Sequence, residues 1–392
     1  MNGIRILDFT RVLAGPWATQ MLADQGADVV KIEPPGGDET RAFAPIVDGV
    51  STYFLSANRN KRSIVLDLHT PAGVAIALEL AARADVVLEN FRPGVMDRLG
   101  LGWARLSASN PRLIYVAIHA FGEEGPSDWV GRPGYDLVLQ AMGGAVSFTG
   151  FPGTPPIRAG APSADLLAGL QAVQAVLLGL LHRTTAGTGQ KIVVNMLQVQ
   201  LGALVYHATR HAVTGESEIQ RGNAHRGLVP YDVYRCADGW LALACGNDAI
   251  WSRLVAALSF DARPEWSTNA GRVAERAAVD AAVSGALSTR TAAESDALFA
   301  EAGVPAGRVL DVAAVRAHPA THDVIVAHPT LGALPLPGPP IQTETTRVAH
   351  RSPPELGADR DGILAELGWG SQEIERAASA GAFGSGRTGT GG

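Results

Sequence analysis

Asp165 is the residue of this sequence whose surroundings best suit covalent chemistry. It stands directly before a nearly continuous apolar run, residues 166–181, which predicts a helix buried on most of its faces. The amide dipoles at a helix start can hold a carboxylate in its charged form. A partly dehydrated carboxylate can also attack an activated acyl group. Two roles are therefore open for Asp165, a nucleophile or a simple helix cap.

The composition excludes several classes of protein. The chain has 392 residues, of which 46% are hydrophobic and 18% charged, so it predicts two or three folded domains. A net charge of −6 leaves no basic surface for a nucleic-acid partner. We expect no signal peptide and no membrane-spanning run, because the apolar stretch after Asp165 is too short to cross a bilayer. Cys236 and Cys245 match neither a zinc site nor a disulfide framework, so a cytoplasmic location is expected.

The first half of the chain alternates between two kinds of segment. Ala- and Leu-rich stretches with helical spacing, at 18–25 and 72–83, lie between short apolar runs. The runs predict strands at Ile4–Phe9, Asp28–Glu33, Ser63–Leu68, Asp85–Glu89 and Leu113–His119. This order predicts a parallel sheet covered by helices on both faces. Ligands of such sheets bind at the carboxyl ends of the strands.

The segments that follow the predicted strands lack the common phosphate and nucleophile motifs. No G-x-G-x-x-G follows the first strand, and the chain contains neither a P-loop nor a G-x-S-x-G elbow. The histidine pairs 207/211 and 318/322 lack the H-E-x-x-H context of a zinc enzyme. We therefore predict no metal site.

The composition changes near residue 221, where a polar, Gly-rich stretch follows the apolar helices. We predict that this stretch begins a smaller α+β domain at 221–322, after a first domain at 1–220. Further along the chain, 326–355 is expected to be extended, and 357–376 to be helical with an interruption at Gly368. The Gly-rich end, 381–392, is expected to be disordered.

Several long segments, in the right order, resemble the class III CoA-transferase family, the CaiB/BaiF type that includes formyl-CoA and carnitine CoA-transferases. The resemblance covers nearly all of the chain except its Gly-rich end. It is carried by VLAGPWATQMLADQGADVVKIEPPGGDETR (12–41), NRNKRSIVLDL (58–68), ADVVLENFRPGVMDRLGLGW (84–103), NPRLIYVAIHAFGEEGP (110–126), GYDLVLQAMGG (134–144), RTTAGTGQK (183–191) and RGNAHRGLVPYDVY (221–234).

The resemblance implies a large Rossmann-like α/β nucleotide-fold domain built from both ends of the chain, 1–220 and 323–380, a small domain between them, and an interlocked, ring-like homodimer. It implies an acyl-CoA and a small organic acid as substrates, without a metal. Asp165 matches the family's catalytic Asp. The implied substrate pocket contains Leu13, Tyr135, Asp136, Gly143 and Gly144. The residues implied to bind coenzyme A are Arg11, Val12, Asn60, Lys61, Arg62, Leu66, Asn90, Phe91 and Arg98.

The implied reaction moves coenzyme A from an acyl-CoA, with succinyl-CoA as one candidate, to a carboxylic acid. Asp165 would form first an anhydride and then an aspartyl-CoA thioester. Gly143-Gly144 and the stretch 222–227 are alternative sources of amides for the tetrahedral oxygen. The chain departs from formyl-CoA transferases at Leu13, where they carry Gln, which argues against oxalate chemistry.

Two rival functions remain at this point. α-Methylacyl-CoA racemases share the fold but use a His-Asp pair where this chain has Tyr135-Asp136. A tyrosine, with an ordinary pKa of about 10, is a poor base near neutral pH. The other rival is a protein that binds acyl-CoA without reacting, against which the intact Asp165 argues. His119, at a predicted strand end, has no assigned role.

Overall fold

The computed structural model describes residues 1–344 and 348–384 of the chain. Its strands are β1 (Arg5–Asp8), β2 (Asp28–Glu33), β3 (Ile46–Val47), β4 (Val50–Ser51), β5 (Lys61–Val65), β6 (Val86–Glu89), β7 (Ile114–His119), β8 (Lys191–Asn195), β9 (Tyr231–Arg235), β10 (Trp240–Ala244), β11 (Ala306–Arg308), β12 (Asp323–His328) and β13 (Gly332–Pro337).

Its α-helices are α1 (Ala14–Asp24), α2 (Thr52–Ser56), α3 (Pro71–Ala82), α4 (Val95–Arg98), α5 (Trp103–Ser109), α6 (Ser127–Val130), α7 (Asp136–Met142), α8 (Ala145–Phe148), α9 (Ser163–Ala186), α10 (Met196–Ala203), α11 (Tyr206–Thr214), α12 (Asp248–Leu258), α13 (Asn269–Ala274), α14 (Arg276–Ser288), α15 (Ala292–Ala302), α16 (Val312–Arg316), α17 (Arg360–Leu367) and α18 (Ser371–Ser379). Two short 3₁₀ turns, Glu39–Ala42 and Pro264–Ser267, complete the helical elements of the described part.

The chain divides into two compact units. The first combines Met1–Ala145, Ala159–Val213 and the C-terminal segment from His322; the second combines Val146–Arg158 with Thr214–Thr321. The sequence placed the divisions at 220 and 322. It did not anticipate that a short piece before α9 would belong to the second unit.

The first unit is built on a parallel sheet with strand order β5-β2-β1-β6-β7-β8. Each strand of the first half that the sequence predicted is present, although β5 begins two residues earlier than expected. One buried cluster of aliphatic side chains lies on each face of this sheet. The predicted α/β class with a parallel sheet covered on both faces is therefore confirmed.

Helix α9, which carries Asp165, packs through its small residues. An added Cβ at Gly169 would lie 2.8 Å from the Ala14 carbonyl oxygen of α1, and one at Gly179 would meet Ile114 of β7 at 2.5 Å. Glycine at both positions therefore allows close approach of the helix to α1 and the sheet. The helix ends at Gly187, whose φ of +76° suits a glycine C-cap.

The opposite face of α9 is exposed, which corrects the expectation of a helix buried on most sides. The leucines of this stripe are between 46% and 64% exposed and recur at helical spacing: Leu170, Leu177, Leu178 and Leu181. Because α9 begins at Ser163 and runs to Ala186, it is also longer than the apolar run suggested. By length and composition alone, α9 meets the criterion for a membrane-crossing helix, although its small-residue face packs inside the unit.

The second unit has its own core. Strands β9, β10 and β11 form an antiparallel sheet in the order β11-β10-β9. The buried face of this sheet packs with aliphatic and aromatic side chains of α12, α14 and α15. Cys236 and Cys245 are both buried free thiols in this core. The part Asn269–Ala302 of this unit forms three successive helices, α13, α14 and α15.

The C-terminal segment belongs to the first unit. Part of the region expected to be extended forms an antiparallel hairpin, β12 with β13. The expected helical stretch forms α17 and α18, separated at Gly368 with φ of +94°. The expectation of disorder from residue 381 is wrong for its first residues, because Ala382 is buried and its carbonyl accepts a hydrogen bond from the Asp67 amide at 2.7 Å. The rest of the predicted tail, 385–392, lies outside the described residues.

The contact between α9 and α1 generates a test with a matched control. Gly169→Ala should lower the free energy of unfolding by about 1–3 kcal/mol, because its Cβ would overlap the Ala14 carbonyl. Gly202→Ala in α10, where an added Cβ meets nothing within 4 Å, should raise it by up to about 1 kcal/mol. Urea denaturation of both variants measures the difference. Equal effects at the two glycines would contradict the close packing.

Candidate active site

A cavity of about 710 Å³ opens at the carboxyl ends of the sheet strands in the first unit. Its walls come from the loops that follow β1, β5, β6 and β7, together with residues 130–135 and the start of α9. The sequence predicted a ligand site at this edge, and the structure places a cavity there.

Asp165 lies on the wall of this cavity, in the first turn of α9. Asp136, the first residue of α7, lies beside it. The Asp136 Oδ1 atom accepts hydrogen bonds from the backbone amides of Ala164, at 2.9 Å, and of Asp165, at 3.4 Å. Gln140 donates to the other carboxylate oxygen at 2.7 Å. Asp136 therefore caps the N-terminus of α9 by accepting hydrogen bonds from amides of its first turn.

This arrangement corrects the expectation that the helix start holds Asp165 in its charged form. No donor in the described ranges 1–344 and 348–384 hydrogen-bonds the Asp165 carboxylate. Burial, with the negative charge of Asp136 as a second cause, raises the pKa of Asp165 from its ordinary value to about 7. A raised pKa of this kind is typical of carboxylates at functional sites.

Leu13 and Tyr135, which the family resemblance assigns to the substrate pocket, line the same cavity as Asp165. Tyr135 is 61% exposed and immediately precedes α7. Asp136, Gly143 and Gly144, predicted for the same pocket, do not line the cavity. Asp136 instead forms the helix cap described above. An added Cβ at Gly143 would overlap Gln200 of α10, so this glycine serves the packing of α7 and α10.

A second wall of the cavity joins two of the predicted loops. The Asn90 side chain accepts a hydrogen bond from the Arg11 amide and donates one to the Arg11 carbonyl, both at 2.8 Å. The Arg11 guanidinium lies 4.8 Å from the centre of the Phe91 ring. These three residues, with Val12 and Leu66, line the cavity, and their contact with coenzyme A stays a prediction.

The cavity also contains basic side chains that the sequence reasoning did not name. His69, Arg92 and Arg132 all line it. The sequence carries a signal for two of them, because His69 directly follows the L-D-L stretch after β5, and Arg92 lies inside the E-N-F-R-P-G stretch. Arg132, whose guanidinium lies 4.5 Å from the Trp129 ring centre, belongs to a loop with no distinctive pattern. With Arg11, these groups suit an anionic ligand.

The predicted phosphate contacts of Lys61 and its neighbours need correction. The three donors of the buried Lys61 ammonium bond Asp8, at 3.1 Å, and the oxygens of Pro16 and Asn58, each at 2.8 Å. Arg62 pairs with Asp28 and Glu366 away from the cavity.

Asn60 is also buried away from the cavity. Its side chain donates to Asp24 at 2.7 Å and accepts from the Arg351 amide at 2.6 Å. The hydrogen bonds and ion pairs of these three residues, Asn60, Lys61 and Arg62, join the sheet to its neighbouring segments. Their polar side-chain atoms therefore already have partners within the protein.

Two further predicted contacts remain predictions. Arg98 is exposed on α4 and does not line the cavity. The stretch 222–227, one alternative for the oxyanion amides, belongs to the second unit.

A buried ion cluster supports the loop that carries Arg11, Val12 and Leu13. The Lys31 ammonium pairs with Asp38 at 2.9 Å and donates to the Thr10 carbonyl at 2.8 Å. Burial alone would raise the pKa of the neighbouring Asp8, but Lys61 and Lys31 lower it to about 2. Val12 adopts a φ of +67°, which is costly for a β-branched residue. The cluster fixes the backbone on both sides of this strained residue.

Among the described residues, no group of three or more His, Cys, Asp or Glu side chains is arranged to hold a metal ion.

The chain is similar to proteins of known family along almost all of its length. Residues 1–360 match the family described as CoA-transferase family III. A succinate–glutarate CoA-transferase of Agrobacterium fabrum is 38% identical over 97% of this chain and 97% of its own length. An acetyl-CoA:oxalate CoA-transferase of Acetobacter aceti is 38% identical over 92% of this chain and 93% of its own. A CaiB/BaiF family crystal structure from Brucella suis superposes with a TM-score of 0.83, at 36% identity over 93% of this chain and 98% of that one.

The pairing of Asp165 with Asp136 generates a pH prediction. Asp136→Asn keeps an oxygen for the α9 amides but removes a negative charge, so the pKa of Asp165 should fall from about 7 by roughly one unit. The carboxyl carbon-13 resonance of Asp165, identified by its loss in Asp165→Asn, measures this directly. An unchanged or higher midpoint in Asp136→Asn would contradict the proposed coupling.

Proposed function

The chain belongs to CoA-transferase family III, and we propose that it moves coenzyme A from succinyl-CoA to a short dicarboxylic acid of the glutarate kind, with Asp165 as the covalent nucleophile. It is an enzyme of the CoA-transferase type, as its family and relatives establish. The observation that carries the proposed role of Asp165 is its place on the wall of the cavity, with its pKa raised to about 7.

The cavity suits an acyl-CoA in size and charge. Its volume of about 710 Å³ falls in the range of cofactor and ligand sites. Arg11, Arg92 and Arg132 provide positive charge for phosphates, His69 offers a ring nitrogen for a hydrogen bond, and Phe91 offers an aromatic edge for the nucleobase. The same basic groups would attract the negative charge of a carboxylate acceptor.

The proposed reaction starts with attack of an Asp165 carboxylate oxygen on the thioester carbonyl carbon. The carbon–sulfur bond breaks and the CoA thiolate leaves, which gives a mixed anhydride of Asp165 and the donor acid. The thiolate then attacks the Asp165 carbonyl carbon. The donor acid leaves as its carboxylate, and coenzyme A is held as a thioester of Asp165.

The second half reverses these steps with the acceptor. The acceptor carboxylate attacks the aspartyl thioester and releases the thiolate, and the thiolate attacks the acceptor carbonyl of the new anhydride. Asp165 is regenerated as a carboxylate, and no net proton is consumed. Each step exchanges one activated acyl bond for another, so the cycle requires no further energy source.

The raised pKa of Asp165 has a consequence for the attacking step. A carboxylate deprived of hydrogen-bond donors is less stabilised in its charged form, so it is a better nucleophile than one in water. Only the deprotonated form attacks. Activity with low acyl-CoA should therefore increase as the pH rises through about 7 and level off above it.

The acceptor is proposed from the relatives and from Leu13. Relatives at similar identity bear different names, one for glutarate and one for oxalate. Leu13 lies on the cavity wall and offers no hydrogen bond to a second carboxylate close to the reacting one. This favours the longer dicarboxylic acid over oxalate.

The racemase alternative is less well supported. Moving an α-proton requires a base near neutrality on each side of the carbon. Tyr135 occupies the position of the racemase histidine, and an ordinary phenol has a pKa of about 10. The alternative of a binding protein without chemistry would leave the environment of Asp165 unexplained.

We also propose that a second copy of the chain covers the exposed face of α9. The leucine stripe at positions 170, 177, 178 and 181 is an apolar surface that the described residues leave exposed. A homodimer would remove it from water. The interlocked form expected from the family resemblance remains part of this proposal.

Trapping tests the covalent role of Asp165. Wild-type protein incubated with succinyl-CoA and then hydroxylamine should carry a hydroxamate on the peptide that contains Asp165, as mass spectrometry can detect. Asp165→Asn should lack it and should lose at least about 10³-fold in kcat. Full turnover by Asp165→Asn, or a hydroxamate only at another residue, would overturn the assignment.

Sedimentation tests the dimer. The wild type should sediment as a dimer. Leu181→Glu should raise the dissociation constant of the dimer at least about tenfold, because it places a charge where the second copy would bury a leucine. Ala104→Glu, at an exposed position of α5, is the matched control and should leave the assembly unchanged. A monomeric wild type would refute the second copy.

A further inference from the structure

His119, the last residue of β7, is buried and takes no part in the chemistry proposed above. It is 2% exposed and does not line the cavity. Its Nε2 atom lies 3.3 Å from Oε1 of Glu89, and its Nδ1 atom lies 3.5 Å from Oε1 of Glu123. The ring is therefore placed between two carboxylates.

Glu89 connects this ring to the cavity. It is the last residue of β6 and only 4% exposed. One carboxylate oxygen, Oε2, accepts the backbone N–H of Phe91 at 2.8 Å. The other faces His119 and, at 3.4 Å, the hydroxyl of Tyr115. Phe91 lines the cavity beneath Arg11, so Glu89 anchors the turn that forms this wall.

A buried carboxylate needs a partner to keep its place and charge. Within the part of the chain that the structure describes, His119 is the basic side chain within ion-pair distance of Glu89. The nearby Lys191 is already engaged, because its ammonium contacts both oxygens of Glu123, at 2.7 and 2.6 Å. Tyr115 provides only a longer contact. Removing the imidazole would leave the Glu89 carboxylate free to turn away from the Phe91 amide.

We propose that His119 is a positioning residue for acyl-CoA binding. Its Nε2–H donates to Glu89 and holds that carboxylate on the Phe91 amide. The turn at Asn90 and Phe91 is thereby fixed, and the reciprocal hydrogen bonds of Asn90 extend this order to Arg11. The inference rests on the proposed function only for the identity of the ligand. His119 acts through Glu89 and touches neither the ligand nor the reacting atoms.

Two substitutions separate this role from a general effect on folding. His119→Leu should raise the Kd for coenzyme A and the KM for succinyl-CoA about 5–20-fold, the effect of losing one charge-assisted hydrogen bond, while kcat stays within about twofold. His119→Gln places an amide donor near the Nε2 position and should recover the Kd to within about threefold of the wild type. Calorimetry measures the Kd, and steady-state kinetics measures KM and kcat separately.

A double-mutant comparison tests the path through Glu89. Glu89→Gln keeps an oxygen that can accept the Phe91 N–H, but the amide is uncharged, so it does not require a basic partner. The variant with both Glu89→Gln and His119→Leu should therefore bind coenzyme A no more weakly than Glu89→Gln alone. Thermal unfolding of each variant accompanies the titrations.

Three results would overturn the inference. The first is a lower melting temperature or kcat in His119→Leu with unchanged Kd and KM, which is the signature of a purely structural residue. The second is that Glu89→Gln and His119→Leu weaken coenzyme A binding additively. The third is that the wild type does not bind coenzyme A. Binding of coenzyme A without transfer to any acid would instead refute the proposed function, and the Kd series would still decide the role of His119.

Discussion

The cap that Asp136 forms on α9 is the interaction on which the site depends. A helix start offers free amide groups that normally stabilise a nearby negative charge. Here the carboxylate of Asp136 takes up the amides of Ala164 and Asp165, and it adds a negative charge of its own. Among the described residues, no donor remains for the Asp165 side chain, and burial, together with the charge of Asp136, raises its pKa to about 7. The carboxylate that caps the helix thus also disfavours the charged form of the neighbouring Asp165.

The scaffold holds this pair of carboxylates in place through close packing and buried charge. Glycines at 169 and 179 let α9 approach α1 and β7 closely, which fixes the start of the helix against the loop that carries Leu13. The buried Lys31 ammonium supports the same loop, because it donates a hydrogen bond to the Thr10 carbonyl and is itself paired with Asp38. Glu89 anchors the next loop through the Phe91 amide. Rigid support of this kind positions reacting groups before the substrate arrives.

Much of this could be predicted from the sequence, for identifiable reasons. The alternation of short apolar runs with Ala- and Leu-rich stretches predicted the parallel sheet and the edge where the cavity lies. Long motifs surround Asp165, Tyr135, Leu13, Asn90 and Phe91, so the sequence could single out these residues, all of which line the cavity. Lys61 was assigned wrongly, because a basic residue in a strand gives no sign in the sequence that Asp8, Pro16 and Asn58 already use its donors. The cap that Asp136 forms, and the contribution of its charge to the raised pKa of Asp165, depend on a contact between residues 29 positions apart, which spacing alone does not reveal.

The fate of the oxygen atoms tests the central claim most directly. In the proposed cycle, the acceptor carboxylate becomes the bridging oxygen of an anhydride and stays on Asp165 when the thiolate removes the acyl group. After turnover with succinyl-CoA and glutarate labelled with heavy oxygen in its carboxylates, the peptide containing Asp165 should therefore gain heavy oxygen. Mass spectrometry of that peptide would show the gain. Efficient formation of glutaryl-CoA with no label on Asp165 would contradict the account.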